Sequence, residues 1–166
     1  ADLSKMPHLL IAGTTGSGKS VLISAITACL AMNNRPEDLR LVMLDPKMVE
    51  LVRFNGLPHL MGKVETELER ITAVLRWVVV EMQQRYKLLE ELKARDIEAY
   101  NRKARRRKGG EALPRIVVLI DELADLMMNA AEHTESTLVR LAHAARAAGF
   151  HREDATHSAR PGGTPG

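Results

Sequence analysis

Gly13-Thr14-Thr15-Gly16-Ser17-Gly18-Lys19-Ser20 decides the fold, because it reads G-x-x-x-x-G-K-S and sits between two stretches of opposite periodicity. His8-Leu9-Leu10-Ile11-Ala12 before it is a short apolar run bounded by Pro7, the length of a buried strand. Val21 to Leu30 after it carries apolar residues at helical spacing. Strand, glycine-rich turn and helix are the context in which this pattern, Walker A, cradles phosphate. Glycines let backbone N–H groups curl around phosphate oxygens, and the helix N-terminus adds positive partial charge. Lys19 is then expected to reach the β- and γ-phosphates, and Ser20 to offer its hydroxyl oxygen to Mg²⁺. The expected ligand is a nucleoside triphosphate.

A second motif lies downstream. After Pro114 and Arg115, Ile116-Val117-Val118-Leu119-Ile120 is an unbroken aliphatic run, as in a strand buried on both faces of a parallel sheet. It ends in Asp121-Glu122, the Walker B arrangement. Two charges beside a dry sheet are costly, so their placement there argues for chemistry. Asp121 is expected to hold Mg²⁺ through its water shell, and Glu122 to orient or deprotonate an attacking water. Together the motifs imply hydrolysis of ATP rather than binding alone. Between them, Leu39 to Leu44 reads as another buried strand that closes on Asp45-Pro46-Lys47. Ligands gather at the carboxyl ends of strands in open α/β sheets, which puts Asp45 and Lys47 on the functional edge. A plain strand-end turn is the other reading of Asp-Pro.

Composition fits one soluble domain. The chain has 166 residues, 45% hydrophobic and 27% charged, with a net charge of +3 and a pI near 9.2. So small an excess is weak evidence for a nucleic-acid partner. It is concentrated, however, in Arg102 to Lys108, six cations within seven residues followed by Gly109-Gly110. Such a run repels itself and is expected to form a mobile loop, either solvated or neutralising the phosphates of a nucleic acid. The single cysteine, Cys29, is expected to be a buried structural thiol. No apolar run is long enough for a membrane helix. A cytoplasmic segment without direct membrane contact is expected, compatible with a parent protein anchored at the inner membrane. The start without methionine suggests a fragment or a processed chain.

Helices account for much of the rest. One is expected from Thr66, with Thr66 and Glu69 at capping-box spacing and an apolar stripe of Leu68, Ile71, Leu75, Val78 and Met82. Glu81–Arg85 and Glu91–Arg95 are pairs four apart. Trp77 reads as a packing anchor rather than a base-stacking platform. Asp96 is placed to cap a short second helix. Glu132 to Ala148 has a strong helical pattern ended by Gly149. Arg146 near its end is a candidate for the arginine that completes a neighbouring subunit's phosphate site in ring-shaped motors; it is equally a favourable cation at a helix C-terminus.

With these motifs in place, the chain resembles the motor domain of the FtsK/SpoIIIE DNA translocases. The matching stretches are PHLLIAGTTGSGKS (7–20), LVMLDPKMVEL (41–51), RYKLLEEL (85–92), LPRIVVLIDELADLMM (113–128) and LAHAARAAGFH (141–151). The resemblance implies a three-layer α/β, RecA-like P-loop core with a mostly parallel sheet. It also implies ATP and Mg²⁺ as cofactors, double-stranded DNA as partner, a homo-hexameric ring, and a role in chromosome partition and cell division. It assigns the nucleotide chemistry to Lys19, Ser20, Asp121 and Glu122, and puts Asp45, Lys47 and Arg146 near the phosphates and the subunit interface. After His151 the family continues with an apolar strand and a Thr-Gln-Arg-Pro-like sensor. Here His151-Arg152-Glu153-Asp154 is charged and Ala155 to Pro161 is a distorted echo. Residues 1–150 are thus expected to be a partial motor core lacking a strand beside Walker B, with an exposed sheet edge. Residues 151–166 are expected to be an aberrant, disordered tail, out of frame or from a truncated reading frame. Two alternatives stand beside the translocase: a truncated non-catalytic nucleotide-binding fragment, and a related conjugation or packaging ATPase.

Overall fold

The computed structural model describes residues 8–13, 17–129 and 150–156. Its elements are β1 (His8–Ala12), α1 (Lys19–Asn33), β2 (Leu39–Leu44), α2 (Leu68–Glu91), α3 (Ile97–Ala104), β3 (Arg115–Ile120), α4 (Leu123–Asn129) and β4 (Phe150–Thr156). The four strands form one parallel sheet in the order β1-β4-β3-β2.

The aliphatic runs of β2 and β3 bury both faces of the sheet, as their composition requires. Val42 and Leu44 with Ile116, Val118 and Ile120 meet Ile71, Leu75, Val78 and Met82 of α2 on one side. Leu41, Met43, Val117 and Leu119 meet Ile23 and Ile26 of α1 on the other, together with Leu51 and Leu60. Helix, sheet and helix make three layers. Ile71, Leu75 and Val78 have no exposed surface, and each such side chain stabilises the fold by about 1.5–3 kcal/mol through burial.

Several local expectations are corrected. The stretch expected to lack a strand pairs as β4, between β1 and β3, with Ile11 opposite Ala155 and Ile120 opposite Asp154. FHREDAT carries no apolar alternation, so the pairing rests on backbone N–H and C=O groups, which are indifferent to side chains. Residues 157–166 lie outside the described residues. The Walker B strand β3 is accordingly internal to the sheet. On the outer side of β2, residues 59–65 run alongside. Leu41 N–H donates to His59 O, Met61 N–H to Leu41 O and Glu65 N–H to Met43 O, which covers that edge.

Cys29 is exposed, because the face of α1 turned to the sheet runs through Ile23, Ile26, Thr27 and Leu30. The Thr66–Glu69 capping box does not form; α2 starts one residue later, with Glu67 as N-cap and no side-chain cap bond. Leu68 at that frayed end is 39% exposed. Arg85 pairs with Glu81 at 2.9 Å, but α2 ends at Glu91, so Arg95 turns instead to Asp96. Asp96 caps α3 as expected, its Oδ1 accepting from Ala99 N–H at 2.7 Å. The basic run is a loop only in part: Arg102 and Lys103 belong to α3, where Lys103 donates to Leu92 O and Lys93 O, whereas residues 105–110 form an exposed turn in which Arg105 pairs with Asp38. Trp77 is 38% exposed beside Val42, Leu60 and Val74. Among the described residues no helix is long and apolar enough to cross a membrane.

Candidate nucleotide site

The carboxyl ends of β1, β2 and β3 open on one edge of the sheet, and the chemistry-bearing residues follow directly after them. Gly13 ends the β1 turn, where a Cβ would run into the Ser17 side chain. Gly18 has φ 88°, a left-handed conformation that glycine adopts without strain, and it is the N-cap of α1. No side chain caps that helix start and its first turn holds no acid. Its leading N–H groups therefore face the edge with their partial positive charge. Thr14, Thr15 and Gly16 lie outside the described residues.

Lys19 is only 9% exposed, and burial of an ammonium demands countercharge. It finds two: Asp121 Oδ1 at 3.4 Å and Glu122 Oε2 at 3.7 Å. Asp121 is fixed to the sheet by its N–H, which donates to Leu44 O at 2.9 Å. Burial pushes the Asp121 carboxyl above the ordinary carboxylate range; Lys19 pulls it back, and Asp45 and Glu50 push it further up. Glu122 has φ 57°, a conformation rare outside glycine, and is 2% exposed. The strained turn redirects its carboxylate away from the β3 alternation, onto Lys19 and onto Lys47 Nζ at 3.5 Å.

Asp45 and Lys47, which share one short motif, do different things. Asp45 is fully buried, and its Oδ2 accepts the N–H groups of Glu50 at 3.0 Å and Leu51 at 2.8 Å. Its carboxylate builds the loop after β2. Lys47 is the partly exposed cation that reaches Glu122. Ser20 Oγ donates to Glu50 Oε1 at 2.5 Å. Glu50 and Arg53 escaped the motif reading, for Glu50 lies in irregular chain and Arg53 in a single 3-10 turn, Val52–Phe54; the signal was an acid and a base three apart just past the carboxyl end of β2. Arg146 lies outside the described residues.

The FtsK/SpoIIIE family model matches residues 1–162. The chain belongs to the FtsK/SpoIIIE family. It is 53% identical over 156 residues to a DNA translocase FtsK of Clostridium tetani, covering 94% of this chain and 21% of that protein. It is 49% identical over 150 residues to the DNA translocase SftA of Bacillus subtilis, covering 90% of this chain and 16% of that one. The chain thus spans about a fifth of the curated relatives' length. Among solved structures, the pCW3 conjugation coupling protein TcpA, a monomer form with ATPgS, is similar at TM-score 0.72 and 34% identity, over 95% of this chain and 44% of that one. EssC from Geobacillus thermodenitrificans, at TM-score 0.80 and 21% identity over 92% of this chain and 28% of that one, shares the fold. These relationships establish the expected class, a RecA-like P-loop ATPase motor fold built on a parallel sheet.

Proposed function

We propose that this chain is the ATP-hydrolysing core of a double-stranded DNA translocase motor, working in the full-length protein as one subunit of a hexameric ring in chromosome partition and cell division. The observation that carries the reading is the convergence of Asp121 and Glu122 on Lys19 at the carboxyl edge of the sheet, their carboxylates 3.4 and 3.7 Å from its ammonium. Its setting is a family whose named members are DNA translocases.

In this reading, the α1 N-terminus and Lys19 bind the β- and γ-phosphates. Glu122 orients the attacking water and takes its proton; its fixed carboxylate beside two ammonium groups is suited to hold that position. Arg146 of a neighbouring subunit is proposed to approach the phosphates across the ring interface.

The residues also fit Mg²⁺. Ser20 and Asp121 supply hard oxygen donors, and Asp45 Oδ1 is buried without a hydrogen-bond partner. Among the described residues no group of three or more His, Cys, Asp or Glu side chains could hold a metal by itself. Mg²⁺ in nucleotide sites takes one or two protein ligands and completes its shell with phosphate and water. Bound there, it would neutralise charge on the phosphates.

The test is the ATPase rate with and without linear duplex DNA, with Lys19→Ala as control. DNA-stimulated turnover that the control lacks supports the motor reading. ATP binding without turnover would make the chain a nucleotide-binding piece of such a motor. The likeness to a conjugation coupling protein favours a second reading, a conjugation-type ATPase, for which stimulation by single-stranded DNA should exceed that by duplex.

A further inference from the structure

Ser20 and Glu50 form a contact that no nucleotide-binding motif accounts for. The Ser20 hydroxyl donates to Glu50 Oε1 at 2.5 Å, at the short end of the range for an O–H donating to a charged oxygen. A hydroxyl has one proton and two lone pairs. To ligate a cation, it must send the proton elsewhere and leave a lone pair facing the metal.

Glu50 is itself held in place on every side. Its N–H donates to the buried Asp45 carboxylate, and its Oε2 pairs with Arg53 Nη2 at 3.4 Å. Arg53 in turn donates to Ser24 Oγ at 2.5 Å and to Ser20 O at 3.4 Å, while Ser24 Oγ donates to Ser20 O at 2.7 Å. The loop after β2 is thereby pinned to the first turns of α1 through both the side chain and the backbone carbonyl of Ser20.

We infer that Glu50 is the positioning residue of Ser20: it accepts the hydroxyl's hydrogen bond, so that the oxygen lone pairs are directed at the Mg²⁺ that accompanies a bound nucleoside triphosphate. The inference rests on the nucleotide-binding reading above. In this assignment Glu50 is not itself a ligand of nucleotide or metal. It acts through Ser20, as outer carboxylates orient the ligands of other metal sites.

The test compares the unmodified chain with Glu50→Ala and Glu50→Gln, measuring the Kd of a fluorescent ATP analogue with Mg²⁺ and again with EDTA. Circular dichroism melting shows that each variant is folded. Glu50→Ala should weaken binding about tenfold with Mg²⁺ and leave the EDTA value unchanged, the size expected for loss of an outer-sphere partner. Glu50→Gln keeps an accepting oxygen without its charge and should recover part of the loss. Ser20→Ala combined with Glu50→Ala should be no worse than Ser20→Ala alone, because the two act through one oxygen. Equal losses with Mg²⁺ and with EDTA would overturn the inference and make Glu50 a loop staple. So would Mg²⁺-dependent binding unchanged in Glu50→Ala. If the unmodified chain binds no nucleotide under either condition, the nucleotide reading falls and the inference with it.

Discussion

Lys47 Nζ lies 3.5 Å from Glu122 Oε2, on the same carboxylate oxygen that Lys19 approaches at 3.7 Å. The side chain of Lys47 is 42% exposed and that of Glu122 is 3% exposed. A cation from the loop after β2 therefore reaches in to a buried acid at the end of β3. With two ammonium groups on one oxygen, removing the outer one shifts the balance of attraction on that carboxylate toward Lys19. Lys47→Met should lower ATP turnover about tenfold, less than the roughly hundredfold or more carried by a general base itself, because Lys47 acts on the base and does not replace it. Nucleotide Kd should change by less than about threefold, since an interaction made in the transition state lowers kcat more than binding. A steady-state ATPase assay paired with nucleotide titration reads both; a Kd loss larger than the kcat loss would place Lys47 on the nucleotide instead.

Glu122→Gln preserves the shape of the side chain and removes its ability to accept a proton. It should bind ATP with near-normal affinity and fail to turn it over, losing at least about a hundredfold in kcat. Loss of ATP binding in this variant would show that Glu122 serves to neutralise Lys19 and hold the pocket together.

The left-handed backbone of Glu122 makes a separate prediction about stability. With φ 57°, any residue with a Cβ there is strained by about 1–2 kcal/mol relative to glycine. Glu122→Gly should therefore be more stable than Glu122→Ala by roughly 1 kcal/mol. Urea unfolding of the two variants measures the difference directly. The comparison cancels the lost carboxylate, since neither variant has one.

How much of this site was visible in the sequence depends on what each residue needs from its surroundings. Lys19, Asp121 and Glu122 were legible because glycine turns and aliphatic runs are enforced by local physics: only particular residues fit a left-handed helix cap or a strand buried on both faces. β2 was legible for the same reason. Glu50 was not, because its role comes from a loop that folds back on α1, and no periodicity marks that return. β4 escaped too, since FHREDAT is as polar as a surface turn, and its slot between β1 and β3 is a property of the sheet. The capping box at Thr66 was a local signal overridden at the helix start by Glu67.

Asp121 makes stability depend on pH. Burial raises its pKa from the ordinary 3.8, and the opposing attraction of Lys19 does not fully offset that together with the repulsion from Asp45 and Glu50. A carboxyl group with a raised folded-state pKa holds its proton more tightly in the folded chain than in the unfolded one. Its contribution to stability is then complete below the unfolded value of 3.8 and is lost as pH rises through the folded value. Asparagine has the same shape and no such dependence. Asp121→Asn should consequently melt at a higher temperature than the unmodified chain near about pH 7.5, and the gap should narrow toward about pH 4.5. Differential scanning calorimetry across that range checks the sign. A gap that widens on acidification, or a variant less stable at neutral pH, would mean that the Lys19 ion pair outweighs the burial of the carboxylate.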